Sequence, residues 1–147
     1  MRILVINGPN LNMLGKRAPE HYGEQTLESI ERTLSQKAQE LDCELAFFQS
    51  NHEGEIIDFI QKETPASTGI LINPGALTHY GYSLHDALAD CGLPVVEVHL
   101  SNIYAREDWR RHSVISDATI GQIIGFKAES YSLGLVALTN YIRSQSK

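Results

Sequence analysis

The chain has 147 residues, 42% hydrophobic and 20% charged, with a formal net charge of −6. That length suits one domain, 1–147, with one core and an ordinary globular composition. The acidic balance, with no Lys/Arg stripe, removes the usual electrostatic support for nucleic-acid binding. No apolar run approaches the roughly 18–20 residues of a membrane span. The opening MRILVINGPN lacks the apolar core and cleavage site of a signal peptide. Cys43 and Cys91 sit in apolar surroundings at no ligand spacing and read as buried reduced thiols. The expected compartment is the cytoplasm.

In chain order, Ile3–Ile6 is a continuous apolar run and predicts the first strand. The segment NGPNLNMLGKRAPEHYG, Asn7–Gly23, follows it without a helical pattern. It is far longer than the usual connection of about 4–6 residues, and such a loop is either disordered or functional. Leu27, Ile30, Leu34, Ala38 and Leu41 recur at helical spacing, so Thr26 to about Asp42 is an amphipathic helix. Leu45–Phe48 is the second strand. Ser50-x-x-Glu53 has the form of a capping box opening a helix with Ile56, Ile57 and Ile60 on one face. Gly69–Ile72 is the third strand, Ser83–Asp90 a helix ended by Gly92, and Pro94–Leu100 the fourth strand. Ile120–Phe126 is the fifth, and Tyr131, Leu135, Leu138 and Ile142 define the last helix.

Strands alternating with helices, each strand apolar throughout, indicate a parallel sheet covered on both faces. Five strands in a chain this long suggest an α/β, flavodoxin-like three-layer sandwich with strand order 2-1-3-4-5. Ligands in that fold bind beyond the carboxyl ends of the strands, near the switch point between strands 1 and 3.

Those ends are rich in chemistry. Asn10, Arg17 and Tyr22 follow strand 1; Asn73 and His79 follow strand 3; Glu97, His99, Ser101, Asn102, Arg106 and Arg110 lie at or after strand 4. The opening loop does not match a Walker phosphate loop: six residues separate Gly8 from Gly15, and Arg17 stands where Ser or Thr is needed. It lacks the acidic metal ligands of a receiver domain and the hydroxyl residues of a flavin loop. Asn7 and Asn12 read as turn residues. No Cys or carboxylate completes a metal set with His79 and His85. His21 and His52 read as solvated. The basic group Arg106, Arg110, Arg111 and His112 suits a small anion.

Glu97 and His99 are two apart on one strand and share a face. Glu97 can orient the imidazole and stabilise its charged form, or the pair is a polar strand end facing solvent. Arg17 and Tyr22 are close enough for the loop to fold them together. A guanidinium beside a phenol favours the phenolate and makes it a usable base; spacing alone favours a merely packed Tyr.

Together NGPNLNxLGxRxPxxYG, INPGALTHYGYSLHDAL and VEVHLSNIYAREDWRRHS resemble the type II 3-dehydroquinate dehydratases, over about Ile3–Tyr141. The resemblance implies the flavodoxin-like fold, no metal and no organic cofactor. It implies anti elimination of water from 3-dehydroquinate to 3-dehydroshikimate in the shikimate pathway of aromatic amino-acid biosynthesis. It implies Tyr22 as the base at C2, Arg17 as the group keeping it ionised, and Asn10 as the holder of a water at the enolate oxygen. His99 is then the acid at the C1 hydroxyl, and Glu97 orients it. Asn73 and the Leu100–Ser101 amides bind the carboxylate; His79, Asp86 and Arg110 bind ring hydroxyls. It further implies a dodecamer, a tetramer of trimers, with Asp86 reaching a neighbouring subunit's site. Tyr80-Gly81-Tyr82-Ser83 and Gly125–Tyr131 depart from the family's usual residues. The long opening loop then reads as a lid, with Asn10 near the fixed strand end and Arg17–Gly23 mobile without ligand. The competing class is a flavodoxin-like nucleotide- or phosphoryl-binding module.

Overall fold

The apolar runs become five parallel strands: β1 (Arg2–Asn7), β2 (Glu44–Gln49), β3 (Gly69–Asn73), β4 (Val95–His99) and β5 (Gly121–Ile124). They are seen in a computed structural model that describes residues 1–147. The strands pair in the order β2-β1-β3-β4-β5. β1 and β3 pair with Ile3 opposite Gly69 and Asn7 opposite Asn73, so both strands end at the same level. The helices are α1 (Pro19–Tyr22), α2 (Leu27–Glu40), α3 (Glu53–Glu63), α4 (Tyr82–Asp90) and α5 (Glu129–Gln145).

Period-two alternation sorts the strand side chains into two cores. Ile3, Val5, Leu71, Val96 and Val98 pack with Ile30 and Leu34 of α2 and Leu135 and Leu138 of α5. Leu4, Ile6, Ile70, Ile72 and Val95 pack with Ile56 and Ile60 of α3 and Leu84 and Leu88 of α4. Each fully buried Leu or Ile contributes about 1.5–3 kcal/mol, enough to fix the register and hence the level of the strand ends. α5 lies especially close to the sheet: a Cβ on Gly134 would meet Val98 Cγ1 at 2.7 Å and Leu71 Cδ1 at 2.8 Å. That approach seats Tyr131, one turn earlier, under the ends of β1 and β3.

The structure departs from the sequence reading in several places. The expected capping box does not form: Ser50 accepts from the His52 N–H at 2.9 Å and donates to Glu55, while Glu53 accepts from the Leu84 N–H at 3.1 Å. A contact with α4 therefore replaces the local bond. The opening loop contains the short helix α1 and a 3-10 turn at Leu11–Met13, each too brief to carry a periodic pattern. Cys43 and Cys91 are half-buried rather than buried. Asn7 is not a turn residue but the fully buried last residue of β1. No helix is long and apolar enough to cross a membrane.

Candidate active site

The carboxyl edge of the sheet carries two polar networks, one on each face. On the α5 face, the Tyr131 hydroxyl donates to Asn7 Oδ1 at 2.6 Å and accepts from Asn73 Nδ2 at 2.9 Å. Burial pushes the Tyr131 phenol up, only partly offset by the bond from Asn73, so it stays protonated and donates. Asn73 Oδ1 accepts from the Gly75 N–H at 3.1 Å. The amide is thereby fixed, with one N–H left for a ligand. The loops after β1 and β3 touch: the Gly8 N–H donates to the Asn73 carbonyl at 2.8 Å, and a Cβ on Gly8 would lie 2.3 Å from the Pro74 oxygen. Only glycine permits that approach.

On the other face lies Glu97, with 0% exposure. Its carboxylate accepts from Thr78, from Ser113 at 3.0 and 3.1 Å, from Gln122 Nε2 at 2.6 Å, and from His99 Nε2 at 2.6 Å. Burial raises this carboxyl, but the bonds from His99, Thr78 and Gln122 and the His99 charge outweigh it, so the net shift is downward. Glu97 is thus held as an anion. A carboxylate can only accept, so His99 Nε2 carries a proton and Nδ1 is the nitrogen left for the cavity. Leu100 and Ser101 follow, and neither backbone N–H has a partner within the protein. Two adjacent free N–H groups at a strand end suit an anion.

Beside these networks sits the segment Arg17–Gly23, expected from sequence to act as a lid. The Arg17 guanidinium carbon lies 4.6 Å from the centre of the Tyr22 ring, and that of Arg106 lies 5.0 Å from it. Arg106 also donates to the Tyr22 hydroxyl at 2.8 Å and to Ser101 Oγ at 3.2 Å. Arg106 Nε is buried without a hydrogen-bond partner and lies 4.0 Å from Glu107 Oε2. Two guanidinium groups thus lie against one phenol ring. Asn10 has φ of 70°, a left-handed conformation that Asn tolerates, and its N–H donates to Asn51 Oδ1 at 2.9 Å.

One cavity of about 190 Å³ gathers Asn10, Arg17, Tyr22, Asn73, His79, His99, Leu100, Ser101, Arg106 and Arg110. This is below the range of about 300–1,000 Å³ for drug-sized ligands, and suits one small polar molecule. His79 Nδ1 faces the His112 carbonyl at 2.9 Å, so it carries a proton and Nε2 is an acceptor while the ring is neutral. Burial lowers the His79 imidazole, partly offset by that carbonyl, and keeps it neutral. Arg110 bonds Glu107 and lies with its guanidinium carbon 4.0 Å from the Trp109 ring centre.

Of the residues singled out from sequence, Glu97 stands behind the cavity wall, and Asp86 is elsewhere. The Asp86 side chain is 78% exposed and lines a groove between α3 and α4. The basic group is divided: Arg106 and Arg110 enter the cavity, while Arg111 pairs with Asp108 at 3.4 Å. His85 is far from a metal set and bridges Asp86 at 3.1 Å and Asp117 at 3.0 Å. Sequence reasoning missed Arg106 as the partner of Tyr22, and Thr78, Ser113 and Gln122 as partners of Glu97. Only the Gln122 contact had a signal, as the cross-strand partner of Glu97 once β4 and β5 are aligned.

Residues 1–139 match the family model described as dehydroquinase class II. The chain belongs to that family. It is 54% identical over 145 residues to a 3-dehydroquinate dehydratase of Halothermothrix orenii, covering 99% of this chain and 98% of the relative. It is 52% identical over 142 residues to the 3-dehydroquinate dehydratase of Bacillus subtilis, covering 97% of this chain and 93% of that one. Its fold is similar to the crystal structure of a type II dehydroquinase from Butyrivibrio crossotus, with a TM-score of 0.92 and 43% identity over 94% of this chain and 97% of that one. The type II dehydroquinase from Propionibacterium acnes gives a TM-score of 0.90 at 38% identity, covering 95% of this chain and 96% of the other. As a class II dehydroquinase the chain has the flavodoxin-like sandwich expected from its strand order, and the phosphoryl-module alternative loses its support.

Proposed function

We infer that the chain is a hydro-lyase of the shikimate pathway that converts 3-dehydroquinate to 3-dehydroshikimate through an enolate, without a Schiff base. The observation that carries this reading is the Tyr22 oxygen held by Arg106 beside Arg17, in the same cavity as a His99 backed by a buried carboxylate. The lid supplies the base and the strand end the acid, so the two can address opposite faces of one small ring. No lysine lines the cavity, which agrees with chemistry that forms no imine.

In this mechanism Tyr22, as phenolate, takes a proton from C2. The C2–H electrons pass into the C2–C3 bond and the charge to the C3 oxygen. Asn10 holds a water that donates to that oxygen, which stabilises the charge where it develops. His99 then protonates the C1 hydroxyl through Nδ1. The C1–O bond breaks, the enolate collapses, and the new C1–C2 double bond is conjugated with the ketone. One proton has moved to Tyr22, one has left His99 with the water, and exchange with solvent restores both. Arg17 and Arg106 steady the phenolate, and Glu97 offsets the imidazolium. Asn73 and the Leu100–Ser101 N–H groups take the carboxylate, and His79 and Arg110 take ring hydroxyls.

The catalytic unit is the single domain 1–147, acting as a homo-oligomer in the cytoplasm. The finer arrangement is a dodecamer of four trimers in which Asp86 completes a neighbouring subunit's site. The exposure of Asp86, outside its own cavity, supports that role. Adding 3-dehydroquinate to the folded protein is expected to raise ultraviolet absorbance as the conjugated enone forms. Absence of that signal from folded, oligomeric protein would overturn the assignment.

A further inference from the structure

The segment Arg17–Gly23, which holds α1, is tied to the rest of the chain by very little. Its internal bonds run from His21 and Tyr22 to Ala18 and from Gly23 to Pro19. Only three hydrogen bonds reach beyond it. One is the bond from Arg106 to the Tyr22 hydroxyl. The other two come from Lys127, whose ammonium donates to the Pro19 carbonyl at 3.4 Å and the Glu20 carbonyl at 3.3 Å. The Arg106 bond ends on an oxygen that gains and loses a proton in every turnover. Lys127 alone grips the backbone.

The base of this grip is fixed to the acid. Lys127 lies in the turn between β5 and α5, where the Gly125 N–H donates to the His99 carbonyl at 3.1 Å and the Lys127 N–H to the Leu100 carbonyl at 2.9 Å. Its stem passes over Gly23, whose Cβ, if present, would lie 3.6 Å from Lys127 Cδ. Lys127 itself has φ of 53°, a left-handed conformation that favours glycine and that a long side chain with no local bond adopts at a cost. A strained non-glycine backbone is an observation that calls for a use, and here the use is to aim the ammonium at the lid.

We propose that Lys127 is a positioning residue, a latch that ties the lid backbone to the end of β4 and so sets Tyr22 relative to His99. It rests on Tyr22 being the base. It acts through α1 and touches no reacting atom.

Lys127→Gly removes the two bonds to the lid and relieves the left-handed strain, while the backbone bond of residue 127 to Leu100 stays; Lys127→Arg keeps a cation of similar reach. Two readouts are used. The first needs no substrate: trypsin nicking at Arg17–Ala18, followed by the mass of the Met1–Arg17 fragment. It is expected to be about 3–10-fold faster in Lys127→Gly, the effect of one net hydrogen bond of exposed type, and to return toward the parent rate in Lys127→Arg. The second is turnover of 3-dehydroquinate, where kcat/KM is expected to fall by a similar factor, more than kcat, and to recover in Lys127→Arg. Unchanged nicking in Lys127→Gly overturns the latch, and so does faster nicking with unchanged kcat/KM. Failure of the parent protein to turn over 3-dehydroquinate overturns the enzymatic reading instead, and the nicking comparison separates the two.

Discussion

From Arg17 to Gly23 the chain reaches the rest of the molecule through three hydrogen bonds, and no residue of α1 is buried. Across the cavity, the Glu97 carboxylate alone accepts from four side chains and is fully enclosed, with every residue of β4 buried around it. Under the proposed mechanism, the difference follows from what each region supplies. A base that must meet and release a substrate belongs on an element that can open, and loosely bonded segments are the ones that open locally. The proposed acid, bonded to a buried carboxylate, belongs on a rigid strand, because a half-satisfied buried charge is costly. Activity and stability should therefore separate in the lid and coincide at the strand end.

The largest expected effect tests that separation. Tyr22→Phe removes only the hydroxyl, and its kcat is expected to fall by about 10²–10⁴-fold, the range for loss of a general base. Its melting temperature should match the parent, because the ring still packs beneath two guanidinium groups. His99→Ala should cost turnover on the same scale and also stability, by about 1.5–3 kcal/mol for a lost bond to a buried charged group. Steady-state kinetics and thermal unfolding on the same samples decide the matter. A Tyr22→Phe protein that melts well below the parent, or a His99→Ala protein that melts with it, breaks the contrast.

The two regions also differed in how much of them the sequence disclosed. The strand order followed from apolar runs alternating with helices, and the Glu97–His99 pair from period two, because both are local patterns. Arg17 and Tyr22 are also near neighbours in sequence. Arg106 lies 84 residues from Tyr22, and Thr78 and Ser113 lie 19 and 16 residues from Glu97. Such partners become visible only when the loops after β3 and β4 fold over the same edge. The capping box failed for the same reason in reverse: Glu53 found the Leu84 N–H of α4, a partner with no trace in the local pattern. Asp86 stays outside the cavity of its own chain, so one chain's fold alone supplies no ligand contact for it.

A smaller effect sharpens the rigid half of the comparison. Gln122→Leu keeps the bulk of the side chain on β5 but removes the 2.6 Å bond to Glu97 Oε2. Stability is expected to fall by about 1.5–3 kcal/mol, the net value of a hydrogen bond to a charged group. Turnover should fall severalfold at neutral pH, because a less restrained carboxylate orients His99 less well. The lid is untouched, so trypsin nicking at Arg17–Ala18 should keep its parent rate. Denaturant unfolding gives the first quantity and the fragment assay the last; faster nicking in Gln122→Leu would mean that the strand end and the lid are coupled more tightly than their bonding suggests.

The smallest effect concerns acid. The folded-state pKa of Glu97 is lowered, so the carboxylate contributes stability that is present above its unfolded value, about 4.3, and is lost as pH falls through the folded value. The contribution is modest because burial works against the bonds that lower the pKa. Glu97→Gln removes the titration while keeping the shape. The parent should therefore be the more stable of the two at neutral pH, and the gap between their melting temperatures should narrow steadily below about pH 4.3. Tyr22→Phe leaves this network alone, so its melting temperature should follow the parent through the whole acid range. A gap between parent and Glu97→Gln that stays constant with pH would mean that packing, rather than the charge of Glu97, holds the end of β4 rigid.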